Sequence, residues 1–519
     1  MHEEKFFTQQ LGIASDLSCS VQESTLVSVI LSSEEENDYS KQVITEVAIN
    51  LLARVFRHIF VDVPRDTICQ LPGGKGLLLH EYLSSIPSQV REWPGQSHEI
   101  EERFNVVVGS GEITSANTVY VNSNGWLAFI GRIPTPIKIL VEHENNPIGA
   151  VVAGCLGAAE IFKMAFGSKI SKRVTYVDKP ISFSTFSYKV GDYSNWYYLE
   201  NPEFGQAELN EVTVFGVGSI GSSMLHSLAF VPGLQGSIDV VDSDLKLDVH
   251  NLLRYSLLTL QDLHRNAAAP FPKAEWAERK LKELCPNLSV RPFVIDASGY
   301  LSKLPHDYKI DVAVSAVDGI PARRDITEVL AKKTLNAASG ETNIEISRHR
   351  FNDGMACLYC RYTNSKSPLS QVNLFSQMTG LSPQRVIQLL DQDVLAKCDI
   401  DILIQLGKIS VDERDKWLGN RLNTLINGRL YGQVPVVNSG NPSLSVVTVA
   451  FVSLMAGALL AGELLKAKNF SWEASWKGNL YKQDLLHLPN EIIFWEPNKD
   501  KCLCNHSFRQ NIYRGKYSA

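Results

Sequence analysis

Three observations predict an α/β protein built from two copies of one scaffold with a helical insertion. The first is alternation. Glu211 to Phe215 reads as a buried strand, Ser219 to Phe230 as a helix and Gly236 to Val241 as the next strand, which is a βαβ unit. A strand at Asp311 to Val317 and a long helix after Ser445 continue the pattern and favour a mostly parallel sheet with helices on both faces. The second is self-similarity, since Ala153-Gly-Cys-Leu-Gly-Ala-Ala-Glu160-Ile-Phe-Lys163 resembles Ala456-Gly-Ala-Leu-Leu-Ala-Gly-Glu463-Leu-Leu-Lys466 in register. Upstream of the first copy lies Asn105-Val-Val-Val-Gly109-Ser-Gly111, and upstream of the second lies Val212-Thr-Val-Phe-Gly216-Val-Gly218. Each half thus pairs a glycine-ended strand with a small-residue helix. The interval is much shorter in the first half, as expected of a copy that kept its scaffold and lost its catalytic loops. The third is a change of character from Asn364 to Gly432. There Ser382-Pro383 opens one helix, and Ser410-Val-Asp-Glu413 is a capping box for another that stops near Gly428. The expected domains are 1–200, then 201–363 together with 433–519, and the insertion 364–432, with a linker from Trp196 to Asn210 dividing the halves.

A chain of 519 residues exceeds the size of a single core, so two or three domains are expected. Charged residues make up 20% and the formal net charge is -6, which argues against nucleic acid as the main partner. The N-terminus, MHEEKFFTQQ, carries acidic residues where a secretory signal is basic, and a cytoplasmic location is expected. Val446 to Leu460 is almost wholly apolar. It is shorter than the roughly 20 residues a bilayer requires and ends in Glu463 and Lys466, so it reads as a buried helix and not a membrane span.

Gly216-x-Gly218-x-x-Gly221 sits between strand and helix, where missing side chains permit a tight turn and let backbone N–H groups approach a phosphate. The next strand ends in Val240-Val-Asp242-Ser-Asp244, placing Asp242 at the usual distance for a ribose. A nicotinamide-dependent oxidoreductase would share both features. Asn251-Leu-Leu-Arg254, Lys273-Ala274 and Asp318 with Arg323 are unnecessary for hydride transfer. They suit attack by a carboxylate on the α-phosphate of ATP, where two anions meet and a departing pyrophosphate needs Arg, Lys and Mg²⁺.

Nine cysteines in so long a chain are no disulfide framework. Cys357-Leu-Tyr-Cys360 has the spacing with which two thiolates grip one tetrahedral Zn²⁺, and Cys502-Leu-Cys504 offers a second pair for a closed structural site. Cys19, Cys69, Cys155, Cys285 and Cys398 remain as candidate nucleophiles. Cys155 and Cys285 lie in contexts typical of core cysteines.

From about Val212 to Lys466 this ordered set resembles the ThiF, MoeB and HesA superfamily, the fold shared by ubiquitin-activating enzymes. The resemblance implies two Rossmann-like adenylation domains, the N-terminal one inactive and the C-terminal one active, forming an intrachain pseudo-dimer that leaves homo-oligomerisation open. It implies that Asp242 holds the ribose, that Arg254 and Lys273 contact phosphates and that Asp318 binds Mg²⁺, with Asp244 and Asn251 in the same motif. Two departures stand out: the interval from Asp244 to Asn251 is one residue longer than usual, and Tyr255 stands where the family commonly has Gln. Cys502 and Cys504 are one residue closer than the family's usual pair, which makes His506 a candidate replacement ligand. In relatives an N-terminal arginine reaches the partner nucleotide, a role open here to Arg54 or Arg57. Cys398, in Leu395-Ala-Lys397-Cys398-Asp399, lies where ubiquitin-activating relatives place their catalytic cysteine; Lys397 would favour its thiolate and Asp399 oppose it.

The implied reaction is adenylation of the C-terminal glycine carboxylate of a ubiquitin-like protein, thioester formation on Cys398 and transfer to a conjugating enzyme. The fused arrangement most resembles activating enzymes of bacterial ubiquitin-like conjugation and antiphage operons. The alternatives are adenylation of a sulfur carrier without a thioester, as in thiamine or molybdopterin synthesis, and a non-catalytic scaffold.

Overall fold

In the computed structural model, placement is described for residues 21–517 except 94–98, 114, 135–145, 170–172, 194, 206, 248, 266–270, 341, 364–371, 373–374, 377, 392, 426–432, 439–440 and 501. Cys19 and the N-terminal decapeptide fall outside the described residues.

The first half contains β1 (Thr25–Leu31), β2 (His58–Asp62), β3 (Glu102–Val108), β4 (Thr118–Asn124), β5 (Leu127–Gly131), β6 (Ile181–Ser184) and β7 (Val190–Asp192), in the order β2-β1-β3-β4-β5-β6-β7. The second contains β8 (Glu208–Phe215), β9 (Gln235–Val241), β10 (Leu288–Phe293), β11 (Val312–Ser315), β12 (Lys333–Ser339) and β13 (Asn343–His349). A separate antiparallel pair follows, β14 (Gln433–Asn438) with β15 (Asn441–Thr448), before β16 (Leu480–Asp484) and β17 (Ile493–Phe494) return to the second sheet. That sheet runs β10-β9-β8-β11-β12-β13-β16-β17, parallel through β12 and antiparallel beyond. From β2 to β7 the first sheet repeats the order and polarity of β9 to β17.

The shared topology corrects one sequence pairing. By position in its sheet, β8 corresponds to β1, and β3 corresponds to β11. Gly109-Ser-Gly111 is therefore the counterpart of the segment after β11, and the counterpart of the Gly216 turn is Ser32 to Asp38. Short apolar strands ending in glycine look alike locally, and only non-local pairing tells them apart.

The recurring helices are Ile148–Phe166 and Ala450–Asn469, which pack against each other at the centre of one continuous apolar core. Both are long and apolar enough to cross a membrane, and both are buried in the protein. Each copy carries a buried Glu–Lys pair one turn apart, Glu160–Lys163 at 2.6 Å and Glu463–Lys466. Further donors reach each carboxylate: Val177 N donates to Glu160 Oε1 (2.9 Å), while Tyr188 and Trp476 donate to Glu463 at 2.7 and 3.0 Å. Ion pairs this deep persist only when so satisfied. The second helix begins at Ala450, after Ser445 to Thr448 have already formed part of β15.

Alternation along the buried strands separates the two faces of the second sheet. Val212 and Val214 face the large core, while Phe215 and Ala313 face a second cluster with Tyr300, Ile326 and Leu358. The insertion has its own core, including Phe375, Val386, Leu389, Ile400, Leu403 and Trp417. Pro383–Asp391 is helical as expected. The Ser410–Glu413 box forms, with Ser410 N on Glu413 Oε2 at 2.9 Å, but its helix stops at Trp417, because Gly419 adopts φ +78°.

Candidate functional site

At the C-terminal ends of β8, β9 and β11 the chain leaves the sheet at three neighbouring points. Connections run from β8 to β9 on one side and return to β11 on the other, which opens a crevice at that edge. Gly216 turns there with φ +93°, and a Cβ on it would lie 2.7 Å from Ala316 O and 3.0 Å from Val317 Cγ1. The glycine turn thus rests directly on the segment leading to Asp318. Gly218 caps the helix Ser219–Ala229, leaving its first N–H groups directed at the crevice. A Cβ on Gly221 would collide with the carbonyl of Gly216. Gly221→Ala is therefore expected to open the turn, destabilising the protein by about 1–3 kcal/mol and weakening ATP binding together with the melting temperature; a stable variant with undiminished ATP affinity would contradict the close-packing role.

Asp242, half-buried at the end of β9, fixes the turn with both oxygens: Val217 N donates to Oδ2 at 2.6 Å and Asp244 N to Oδ1 at 2.8 Å. Burial raises its pKa, opposed by the Lys273 ammonium and the two N–H donors. Each oxygen retains a lone pair for a further donor such as a ribose hydroxyl. Lys273 starts the helix Lys273–Leu284, is 8% exposed, and pairs with exposed Asp244. Burial works against the ammonium, yet Tyr255, Asp242 and Asp244 outweigh it and hold its pKa above the ordinary lysine value. Tyr255 is buried, its ring 5.7 Å from Lys273 Nζ and its hydroxyl 3.9 Å from the Cβ position of Gly218. Burial raises its pKa while Lys273 and Arg254 lower it. Arg254 and Asn251, both partly exposed, form the turn before it, with Arg254 N on Asn251 O at 3.0 Å. Asp318 is exposed, just before Gly319 (φ +82°), the cap of the helix Ile320–Glu328. Arg323 on that helix stacks 4.9 Å from the Tyr362 ring. Gly216, Gly218, Gly221, Asp242, Asp244, Asn251, Arg254, Lys273 and Asp318 accordingly lie on segments that meet at one sheet edge. Tyr255, noted in the sequence only as a departure, is the buried floor beneath Lys273.

The corresponding edge of the first half is filled from within. After β1, Glu35 crosses to the segment after β3, where Ser110 N and Oγ donate to its Oε2 at 2.6 and 3.0 Å. A carboxylate occupies the place that backbone N–H groups would offer to phosphate, a charge that repels an anion. Sequence reading missed Glu35 because it aligned Gly109 with the wrong glycine.

Arg57 lies 4.0 Å from Glu23 within its own half, and Arg54 is bound to main-chain carbonyls of the second half.

Away from this edge, Cys357, Cys360, Cys502 and Cys504 are buried with their sulfurs within 4.8 Å of one another; Cys357 and Cys502 are 3.7 Å apart, Cys360 and Cys504 3.4 Å. Sulfurs on one Zn²⁺ with bonds near 2.3 Å stand about 3.8 Å apart, so the donor set fits a closed zinc site. Four cysteines complete it, and His506 is exposed outside the cluster, which removes the expectation that it replaces one.

Cys398 is exposed at the second position of the helix Lys397–Gln405. Cys69, Cys155 and Cys285 are buried, and desolvation pushes the first and last up to about 11 and about 12 and Cys155 higher still. Asp399 does not face solvent beside the thiol: Arg385 grips it at 2.9 and 2.8 Å and Ala396 N donates to it at 2.8 Å. Burial raises the Asp399 pKa, but Arg385 and that N–H reverse this and hold it below the usual carboxylate range.

The ThiF family profile matches residues 200–504, and that of the BilD N-terminal domain matches residues 26–175. The uncharacterized protein y4jF of Sinorhizobium fredii (strain NBRC 101917 / NGR234) is 26% identical over 408 residues, 77% of this chain and 75% of that protein. The adenylyltransferase and sulfurtransferase UBA4 of Candida glabrata is 30% identical over 170 residues, covering 32% of this chain and 37% of its own length. Among solved structures, E. coli MccB with succinimide aligns with a TM-score of 0.31 at 17% identity over 57% of this chain and 66% of that chain. E. coli MccB with MccA-N7isoASN gives 0.32 at 17% identity over 58% and 67%.

Proposed function

The chain belongs to the ThiF family, whose members adenylate a carboxylate with ATP, and from that premise we propose that its substrate is the C-terminal glycine of a ubiquitin-like protein, subsequently carried as a thioester on Cys398. The convergence of the Gly216 turn, Asp242, Lys273 and the Asp318 segment at one sheet edge carries this reading. The N–H groups of the glycine turn and of the helix at Ser219 bind phosphate oxygens. Asp242 accepts from the ribose while keeping the turn closed. Lys273 and Arg254 offset the charge that accumulates as the substrate carboxylate attacks the α-phosphate and pyrophosphate departs. Asp318 is the carboxylate that would hold Mg²⁺, which when bound neutralises phosphate charge. The thiol of Cys398 then loses its proton and forms the thioester as the bond to AMP breaks. A protein with a reactive thiol of its own, the conjugating enzyme, receives the acyl group by exchange.

Exposure separates Cys398 from the three other described non-cluster cysteines, which are buried. Cys398→Ala is expected to retain pyrophosphate exchange driven by the ubiquitin-like protein and to lose every DTT-sensitive conjugate on a non-reducing gel. A conjugate that persists in the variant refutes the cysteine assignment. The partial match to a protein named as both adenylyltransferase and sulfurtransferase supports a second reading, adenylation of a sulfur carrier. Adenylate retained by the wild type with no covalent species formed would favour it.

A further inference from the structure

Arg54 ends the helix Tyr39–Ala53 of the first half and is 2% exposed, yet its guanidinium makes its contacts in the second half. Nε donates to Asn50 Oδ1 at 3.1 Å within its own helix. Nη1 donates to Leu252 O, and Nη2 to Ser256 O and Leu258 O at 3.0 and 3.3 Å. Asn50 Nδ2 donates to the same Ser256 carbonyl at 3.2 Å, and Arg91 Nη1 holds the Arg54 carbonyl at 2.7 Å. Burial pushes the Arg54 guanidinium down to about 9, and the groups that compensate it are neutral carbonyl oxygens.

Those carbonyls belong to a segment that cannot satisfy them alone. A four-residue helix, Val249–Leu252, breaks into a turn, and the carbonyls beyond a helix end have no intrahelical donors. Arg54 supplies a planar fork of donors suited to several acceptors at once. Between Leu252 and Ser256 lie Arg254 and Tyr255, the first a phosphate ligand in the proposed reaction and the second the floor under Lys273. Ser256 is held also from its own half, its hydroxyl 3.0 Å from His226 Nδ1.

We propose that Arg54 is a positioning residue for adenylation: the first half, its own nucleotide edge filled by Glu35, supplies the guanidinium that sets the Leu252–Leu258 segment and so the placement of Arg254 and Tyr255. This rests on the adenylation reading and adds a task for the first half within it. Arg54 acts through the segment and does not touch ATP.

The test uses the full chain and ATP with Mg²⁺, read by calorimetry and by amide hydrogen exchange. Arg54→Lys, which keeps the charge but loses the fork, is expected to weaken ATP binding about tenfold and to speed exchange at the 252–258 amides, with melting near that of wild type. Arg54→Ala should weaken it further and recover part of its affinity in millimolar guanidinium ion. Arg57→Ala should leave ATP binding unchanged. If Arg54→Lys does not fold, Asn50→Ala carries the same test, with about threefold weaker binding expected. Folded Arg54→Lys or Asn50→Ala protein that binds ATP within the error of wild type overturns the inference, as does an equal loss in Arg57→Ala. A wild-type chain that binds no ATP would instead sink the adenylation reading on which it stands.

Discussion

Asp318→Ala is expected to lower pyrophosphate exchange by about 10²- to 10³-fold while leaving the melting temperature within a degree or so of wild type. The two halves of that expectation come from different observations. Asp318 is exposed at the cap of the helix Ile320–Glu328, and no hydrogen bond or ion pair of its side chain figures in the described structure's packing, so its removal leaves the core intact. Its segment nonetheless abuts the Gly216 turn through Ala316 and Val317. A carboxylate on a segment that abuts the glycine turn is suited to a divalent ion in the proposed reaction, and without that ion the triphosphate and the incoming carboxylate would repel each other unscreened. Asp318→Asn, which keeps the shape but removes the carboxylate's charge, should fall on the same side. Exchange within threefold of wild type in Asp318→Ala would remove the proposed magnesium ligand from the mechanism.

Much of that edge is legible in the sequence because its signals are local. A strand, a glycine turn and a helix are contiguous from Glu208 to Ala229, and the acidic residue that closes the turn ends the very next strand. The paired cysteines are equally local in spacing, although only the fold brings Cys357 and Cys360 to Cys502 and Cys504. What escapes is set by non-local pairing. Gly109 resembles Gly216 in its neighbourhood, yet β3 takes the sheet position of β11, and the acidic run Glu34 to Glu36 takes the place of the Gly216 turn. The residues Ser445 to Thr448 show the same ambiguity: a short apolar run is compatible with strand or helix, and pairing with Gln433 to Val436 decides for strand. Arg54 can be noticed as an arginine in the first half, but nothing in its neighbourhood reveals that its acceptors lie in the other half.

Loss of the cysteine cluster carries the second large expected effect. Cys357 and Cys360 flank the start of the helix Leu358–Thr363, and Cys502 and Cys504 bracket a turn just before the C-terminal helix Ser507–Tyr517. A metal held by all four would tie the C-terminal segment to the second sheet. The C-terminal helix then packs back through side chains that include Tyr513, which donates to Lys332 O at 2.6 Å, Tyr517, which donates to Leu330 O at 2.9 Å, and Arg509, which pairs with Glu328. Glu328 ends the helix that Gly319 begins, so the staple braces from behind the element that presents Asp318. Four buried thiols without a metal would have to keep their protons in close mutual contact or repel as thiolates, whereas Zn²⁺ binds them as anions and contributes its binding energy to the fold. Purified protein is expected to contain a single zinc equivalent by emission spectrometry. Cys504→Ser should lose it, melt several degrees lower and expose the C-terminal helix to limited proteolysis, with adenylation weakened but not abolished, because the residues proposed to hold ATP include no cysteine. Protein free of zinc, with four titratable thiols and an unchanged melting curve, would show that the cluster stands without a metal and that the brace behind Asp318 is made by the packing of the C-terminal helix without it.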